Sequence, residues 1–438
     1  MTGRFSAALL SFAAAACGGE PTIAPPPPAA PPAPFEGEGE PWLETAPRAT
    51  CRAGDSAETG IQGLGTDVRC NLDIKGQVPA EEFLSFAWYG DCAYVNGTTS
   101  TKVIDVSDST RPRVVTQLTT PGMQFNWESM KAHEGRGLLV GYKAHELVLD
   151  VYDVSKDCKA PVLVNSSIIG GAGHAGNFSP DGTIYYASSV LSRQVIALDI
   201  TDPPNMEVIT SDFERPTHDL SVGKDGTRGY FVYPQSLDVV GGSLGIMDLS
   251  QIQARAPHAK GTLIGELIWL DGTATQYPLP ITYRGKDYVV VTDELGSGSD
   301  CADPQRPPFG YARILDINDE THPKLVSKIK TQAQDPAFCA EATAQAGTYF
   351  GVSTHYCNVD RPDDPRLLSC GLWAGGVRVY DIRNPWRPKE LAYFNVPDTQ
   401  VPGLTRIRAD RRELWFSTLT TFYVVSLPED VFGPILGG

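Results

Sequence analysis

The stretch NFSPDGTIYYASSVLSRQVIALDITDPP, residues 177–204, decides how this chain folds. It opens with SPDG, in which an Asp-Gly pair supplies the positive φ that a tight strand reversal needs. Two runs rich in β-branched and aromatic residues follow, IYYASS and VIALDI, and the second carries an acid ahead of a polar turn. Such runs bounded by turn residues read as short strands, and neither shows the rhythm of a helix.

The ending recurs along the chain. KVIDVSDSTRP (102–112), LDVYDVSKDCKAP (149–161), LGIMDLSQ (244–251), ARILDINDETHP (312–323) and VRVYDIRNPWRP (377–388) each give a strand, an acid, an aliphatic residue and a polar turn. The aligned acids are Asp105, Asp153, Asp199, Asp248, Asp316 and Asp381, and a seventh copy, FYVVSLPED (422–430), has Ser426 in that place. Their gaps are 48, 46, 49, 68, 65 and 45 residues. That is the period of a four-stranded propeller blade with two enlarged loops. The hairpin recurs one unit later as the KDG of LSVGKDGTRGYFVY (220–233), and strands such as PRVVTQLTT (112–120) and PKLVSKIKT (323–331) follow the acid. The expectation is an all-β fold over residues 51–438, a seven-bladed β-propeller of four-stranded blades, with six or eight blades as alternatives. The seventh unit ends near Pro428 without a fourth strand, while TDVRCNLDIKGQV (66–78) precedes the first blade as a strand without a unit. The two termini are therefore expected to share the last blade, which hides both strand edges.

The pattern of a strand, DVSD-x-x-x-P and a further strand resembles the LVIVD repeat, a bacterial β-propeller repeat of extracytoplasmic proteins. The SPDG hairpin is similar to that of WD-repeat and YVTN-type propellers. The resemblance covers roughly residues 66–430 and implies the fold and an extracytoplasmic place. It implies no single activity, because function on such scaffolds lives in grafted sites.

The N-terminus agrees with export. Residues 1–17, MTGRFSAALLSFAAAAC, have one Arg, a short apolar core and small residues before Cys17, which describes a secretory signal and not a membrane span. AAAC-GG resembles the lipobox of bacterial lipoproteins, which implies that Cys17 is lipidated and, from Gly18, that the protein is sent to the outer membrane or cell surface. An ordinary secretory signal containing a cysteine is the alternative. Residues 18–50 are proline-rich and read as an extended, flexible tether. A membrane, reached through the lipid, is thus one expected partner.

Beyond Cys17 there are eight cysteines, an even number that suggests disulfides in an exported chain. Cys51–Cys70 and Cys357–Cys370 are near enough to close local loops, Cys301–Cys339 comes next, and Cys92–Cys158 remains by elimination. Lys and Arg total 36 against 52 Asp and Glu, a net charge of −16 that argues against a nucleic-acid partner.

Two histidines hold equivalent places. His174 and His218 each lie seven residues before the Asp of a hairpin triplet, Asp181 and Asp225, so they open the innermost strands of adjacent blades at the channel mouth. The same offset falls near Glu82 in blade one, Trp127-Glu128 in blade two, Gln276-Tyr277 in blade five and Cys339–Glu341 in blade six. A ring of His174, His218, Glu128 and Glu82 would suit a divalent transition metal. An imidazole at the start of an inner strand also serves simply to hydrogen-bond a neighbouring blade. Strand alternation points Asp219 away from the axis, and His355 is expected at a loop.

No metalloprotease or phosphate-loop motif accompanies this ring: HExxH and GxxxxGK[ST] patterns do not occur. The glycines of GGAGHAG (170–176) lack the following helix of a dinucleotide site. The first expectation is therefore a non-enzymatic, tethered scaffold that binds a protein, peptide or glycan through loops at 252–275, 293–311 and 356–375. The alternative is an oxidoreductase with a channel-mouth metal, by analogy of architecture with the selenium-binding and methanethiol oxidase propellers.

Overall fold

Tyr185 and Tyr186 are neighbours in one strand, both are fully buried, and they belong to different hydrophobic cores. Successive side chains of a strand point to opposite faces, so a strand covered on both faces reads as an unbroken apolar run. Seven such cores lie between successive sheets. One joins blade one to blade two around Tyr94, Val103 and Leu139, and the last joins blade seven to blade one through Trp415, Phe422 and Phe86. The stack of sheets therefore closes on itself.

The computed structural model describes residues 33–58, 67–80, 86–171, 173–190, 192–233, 241–301, 303, 305–346, 349–396, 400 and 403–437. Blade one is the antiparallel meander Phe86–Tyr89, Cys92–Asn96, Thr101–Asp105 and Arg113–Leu118. Blades two to six run from Lys131, Ala175, Leu220, Thr273 and Thr354. Blade seven has Arg406–Arg408, Glu413–Ser417 and Thr421–Ser426 from the C-terminal side, and its fourth strand is Asp73–Pro79. The expected ring closure holds. The segment before blade one divides in two, however, since Val68–Cys70 adds a fifth strand to blade six.

The repeated acid is explained by local hydrogen bonding. Each of the six accepts the backbone N–H two residues on, from Ser107 to Asp105 at 3.0 Å through Arg383 to Asp381 at 3.1 Å. This turn ends the third strand, and every third-to-fourth strand pairing contains a register shift. The glycines of 170–176 also have a packing cause. A Cβ on Gly173 would meet the Lys143 carbonyl at 2.5 Å, and one on Gly176 the Tyr186 carbonyl at 2.6 Å.

The four disulfides pair as expected, Cys51–Cys70, Cys92–Cys158, Cys301–Cys339 and Cys357–Cys370. Two expectations about loops are corrected. Residues 35–50 are not the free tether expected of them, because the chain from Phe35 onward belongs to the folded unit. The Trp42 N–H donates to the Val326 carbonyl and the Lys328 N–H to the Trp42 carbonyl, so this segment covers the outer edge of blade five. Further on, Glu58 forms a buried ion pair with Arg378 of blade six at 2.6 Å. Proline-rich chain lacks donors, which suits it to an edge as well as to a spacer.

The second correction concerns the insertions. Residues 356–375 belong to the inner hairpin of blade six, and 252–275 hold a short helix and a long outer strand. The added length lies at 296–311 and 330–353, which carry the Cys301–Cys339 bridge and the helix Cys339–Ala346. Phe309, Ala333, Ala342 and Val352 pack together there as a separate apolar cluster. No helix among the described residues is long and apolar enough to cross a membrane.

Candidate metal centre

The first strand of each blade lines the channel, so residues that open these strands converge on one level. Glu128 precedes the inner strand of blade two, His174 that of blade three and His218 that of blade four. The blades are locked together at this point, since the Glu128 N–H donates to the His174 carbonyl at 3.1 Å. His174 Nε2 lies 2.8 Å from His218 Nε2 and 3.2 Å from Glu128 Oε2, and all three side chains are buried. One ligand atom from each falls within 4.8 Å of the others. Three of the four residues singled out in the sequence thus meet, whereas Glu82 lies outside the described residues.

The 3.2 Å separation of His174 from Glu128 suits a metal ion, while the 2.8 Å between the two imidazole nitrogens is a hydrogen-bond contact that an ion would widen. Two donors about 2.1 Å from one ion stand roughly 3.0–3.4 Å apart for coordination angles between square and tetrahedral. Surrounding groups orient the donors. His218 Nδ1 meets the Gln276 carbonyl at 3.2 Å, and as donor there it would leave Nε2 with its lone pair toward His174. Gln276 Nε2 donates to Glu128 Oε1 at 3.3 Å, while Glu128 Oε2 receives no hydrogen bond.

Electrostatics points the same way. Burial holds His218 down to about 4. Burial, then the neighbouring His218, His145 and His355, push His174 well below its ordinary range. Burial, then Glu294 and Asp219, raise Glu128 well above the usual carboxylate range. The site therefore favours neutral imidazoles, the form that binds metals, and its carboxyl would ionise on meeting a dication.

The segment leading into Glu128 is strained. Phe125 and Trp127 have φ of 45°, and the nearby His145 has 59°, values uncommon for residues with a Cβ. The Trp127 ring packs edge-on between His145 at 4.4 Å and His174 at 4.6 Å. Left-handed residues of this kind cluster at functional sites, each at a cost of about 1–3 kcal/mol.

Three expectations at this site are corrected. The blade-six position is not Cys339–Glu341, which lie on the inserted helix. It is His355, fully buried on the inner strand Thr354–Val359, with Nε2 3.2 Å from Glu294 Oε1 and 3.7 Å from Glu128 Oε1. Asp219 does not point away from the channel residues. It is fully buried and accepts a hydrogen bond from Tyr356 at 3.1 Å, with Lys131 Nζ at 3.7 Å. Lys131 also lines a pocket of about 160 Å³ with Phe86, Trp88, Asn177, Tyr277, Asn358 and Leu404.

No protein-family model matches the chain, and no curated protein does. Its fold is similar to solved propellers. A chain of Kuenenia stuttgartiensis hydrazine synthase superposes with a TM-score of 0.55 at 11% identity, over 84% of this chain and 96% of that one. The β-propeller domain of Myceliophteria thermophila Cps50 (Swd1) gives 0.53 at 11% identity, over 81% and 100%. At this identity the likeness shows the architecture alone.

Proposed function

We propose that this chain is an exported, lipid-tethered propeller of the LVIVD-repeat kind that binds a divalent transition metal at one end of its channel. The convergence of Glu128, His174 and His218 from three blades carries this reading. The tether rests on the lipobox-like sequence ending at Cys17, and export is supported by the four disulfides, which persist in oxidising compartments. Mixed imidazole and carboxylate donors suit zinc, iron, copper or manganese. The test is metal content by mass spectrometry on the full chain purified without chelator, beside His174→Ala and His218→Ala. Stoichiometric metal that is lost in both variants is the expected result. A wild-type chain that takes up no metal after dialysis against these ions overturns it.

A second reading is a non-enzymatic scaffold that binds a protein, peptide or glycan on its loop face. Its specific support is the pair of insertions at 296–311 and 330–353, which one disulfide staples together. Loops fixed on a rigid scaffold are where recognition commonly sits. Metal-free protein, with both histidine variants folded, would favour this reading.

A further inference from the structure

We propose that His355 is the fourth protein ligand of this metal centre and contributes its third imidazole, with the Glu294 carboxylate beside it; this rests on the metal-binding reading above. The first support is backbone geometry. In blade six the inner hairpin pairs Thr354 with Leu372 and Tyr356 with Gly371, so the register skips His355. Blade five skips in the same way at Gln276, between Thr275 and Tyr277. A bulge inserts one residue, bends the strand and re-aims a side chain, and such bulges gather beside active sites. Both skipped side chains reach the same carboxylate, Gln276 at 3.3 Å and His355 at 3.7 Å.

The second support is the donor atom. His355 presents Nε2 to Glu128 Oε1, whereas His174 faces Oε2 of the same carboxylate, and the His355 nitrogen lies within 4 Å of both Glu128 and Glu294. Its 3.7 Å separation from Glu128 Oε1 is within about half an ångström of the spacing that two donors on one ion require, and the ring must move inward to join the Glu128, His174 and His218 donors, whose mutual 4.8 Å set it stands outside. The ring is held between Tyr356 at 4.8 Å and Trp373 at 4.7 Å, and Trp373 stacks on Phe350 at 4.4 Å. The third support is charge. Three imidazoles and two carboxylates balance a dication, and the lysine nearest this layer, Lys131, is engaged with Asp219 and the Glu128 carbonyl.

Cu2+ is the probe, because its electron paramagnetic resonance spectrum shows hyperfine splitting from each bound imidazole nitrogen. The full chain loaded with Cu2+ is expected to show three nitrogens. His355→Gln should show two, with affinity about 10–100-fold lower in a chelator competition. Glu294→Gln should weaken binding and keep three. Two nitrogens in the wild-type chain, or an unchanged spectrum and affinity in His355→Gln, would overturn the assignment while leaving the three-residue site standing. The wild-type spectrum decides the matter even if a variant fails to fold. Failure of the wild-type chain to bind Cu2+, or unchanged binding in His174→Ala, would instead remove the underlying reading and this assignment with it.

Discussion

Asp73 and Ser426 face each other in one antiparallel ladder, although 353 residues separate them. The strand Asp73–Pro79 is thus the only connection by which the N-terminal side of the described chain completes the last blade's sheet. Without it the outer edge of Thr421–Ser426 would be bare, and bare edges recruit other chains. Net hydrogen bonding of about 0.5–1.5 kcal/mol per ladder bond makes the loss several kcal/mol. A chain starting at residue 80 is expected to melt well below the full-length protein and to self-associate, whereas one starting at residue 35 should melt with it. Calorimetry and light scattering check both, and equal melting of all three would contradict closure by this strand.

How much of this was legible follows from how local each cause is. The acid at the end of each third strand bonds to a backbone two residues away, so its recurrence shows directly in the sequence and sets the blade count. His174, His218 and Glu128 could be found by a fixed offset because blades two to four have nearly equal lengths. His355 was missed for two physical reasons. The insertion at 330–353 displaces the offset onto a helix, and a bulge, which no composition signal marks, aims the side chain. Asp219 was misread because strict alternation assumes a regular strand, and Asp219 lies just before Leu220–Val222. The docking of residues 35–58 was hidden by proline content, which describes a covering edge as well as a spacer.

Cys92 and Cys158 tie the second strand of blade one to the turn that follows the third strand of blade two, closing a separation of 66 residues. Constraint of the unfolded chain over such a loop is worth about 4 kcal/mol on the entropic model. The Cys92→Ser, Cys158→Ser double variant is expected to unfold at distinctly lower denaturant with a somewhat steeper transition slope, because its unfolded chain is less compact. The same loss, enlarged by the other three bridges, should attend production in a reducing cytosol. Thiol titration of the native chain showing eight reactive cysteines beyond Cys17 would refute it.

Acid should destabilise the ring through its turns. Burial raises Asp181 and Asp199, but hydrogen bonds outweigh it, from Ser179 and Thr183 in the first case and from Arg255 and Thr201 in the second, leaving both at about 2. A carboxylate depressed in the folded state stabilises fully above its unfolded value of about 3.8 and loses that contribution as pH falls through the folded value. Stability is therefore expected to fall between about pH 4 and pH 2. Asp199→Asn should cost roughly 1 kcal/mol at neutral pH after allowance for solvent screening, and should flatten that fall. Urea midpoints across this range provide the check, and a variant with the wild-type slope would show that the turn carboxylate is not a source of it.

The lipid reading makes the sharpest statement about where the molecule works. If Cys17 carries the anchor, the serine variant lacks the sulfur through which acylation proceeds, and export continues because the apolar core of residues 5–16 is intact. Two acyl chains hold a protein at a membrane, whereas a proline-rich segment without lipid has nothing apolar enough to do so. Cys17→Ser expressed in a bacterial host is expected to move from the membrane fraction to the soluble periplasmic fraction, with its melting temperature unchanged, since the folded unit starts at Phe35. Fractionation followed by mass spectrometry of the N-terminal peptide reads both location and acylation. A wild-type N-terminal peptide that carries no acyl group would refute the anchor and leave export to be explained by the signal segment alone.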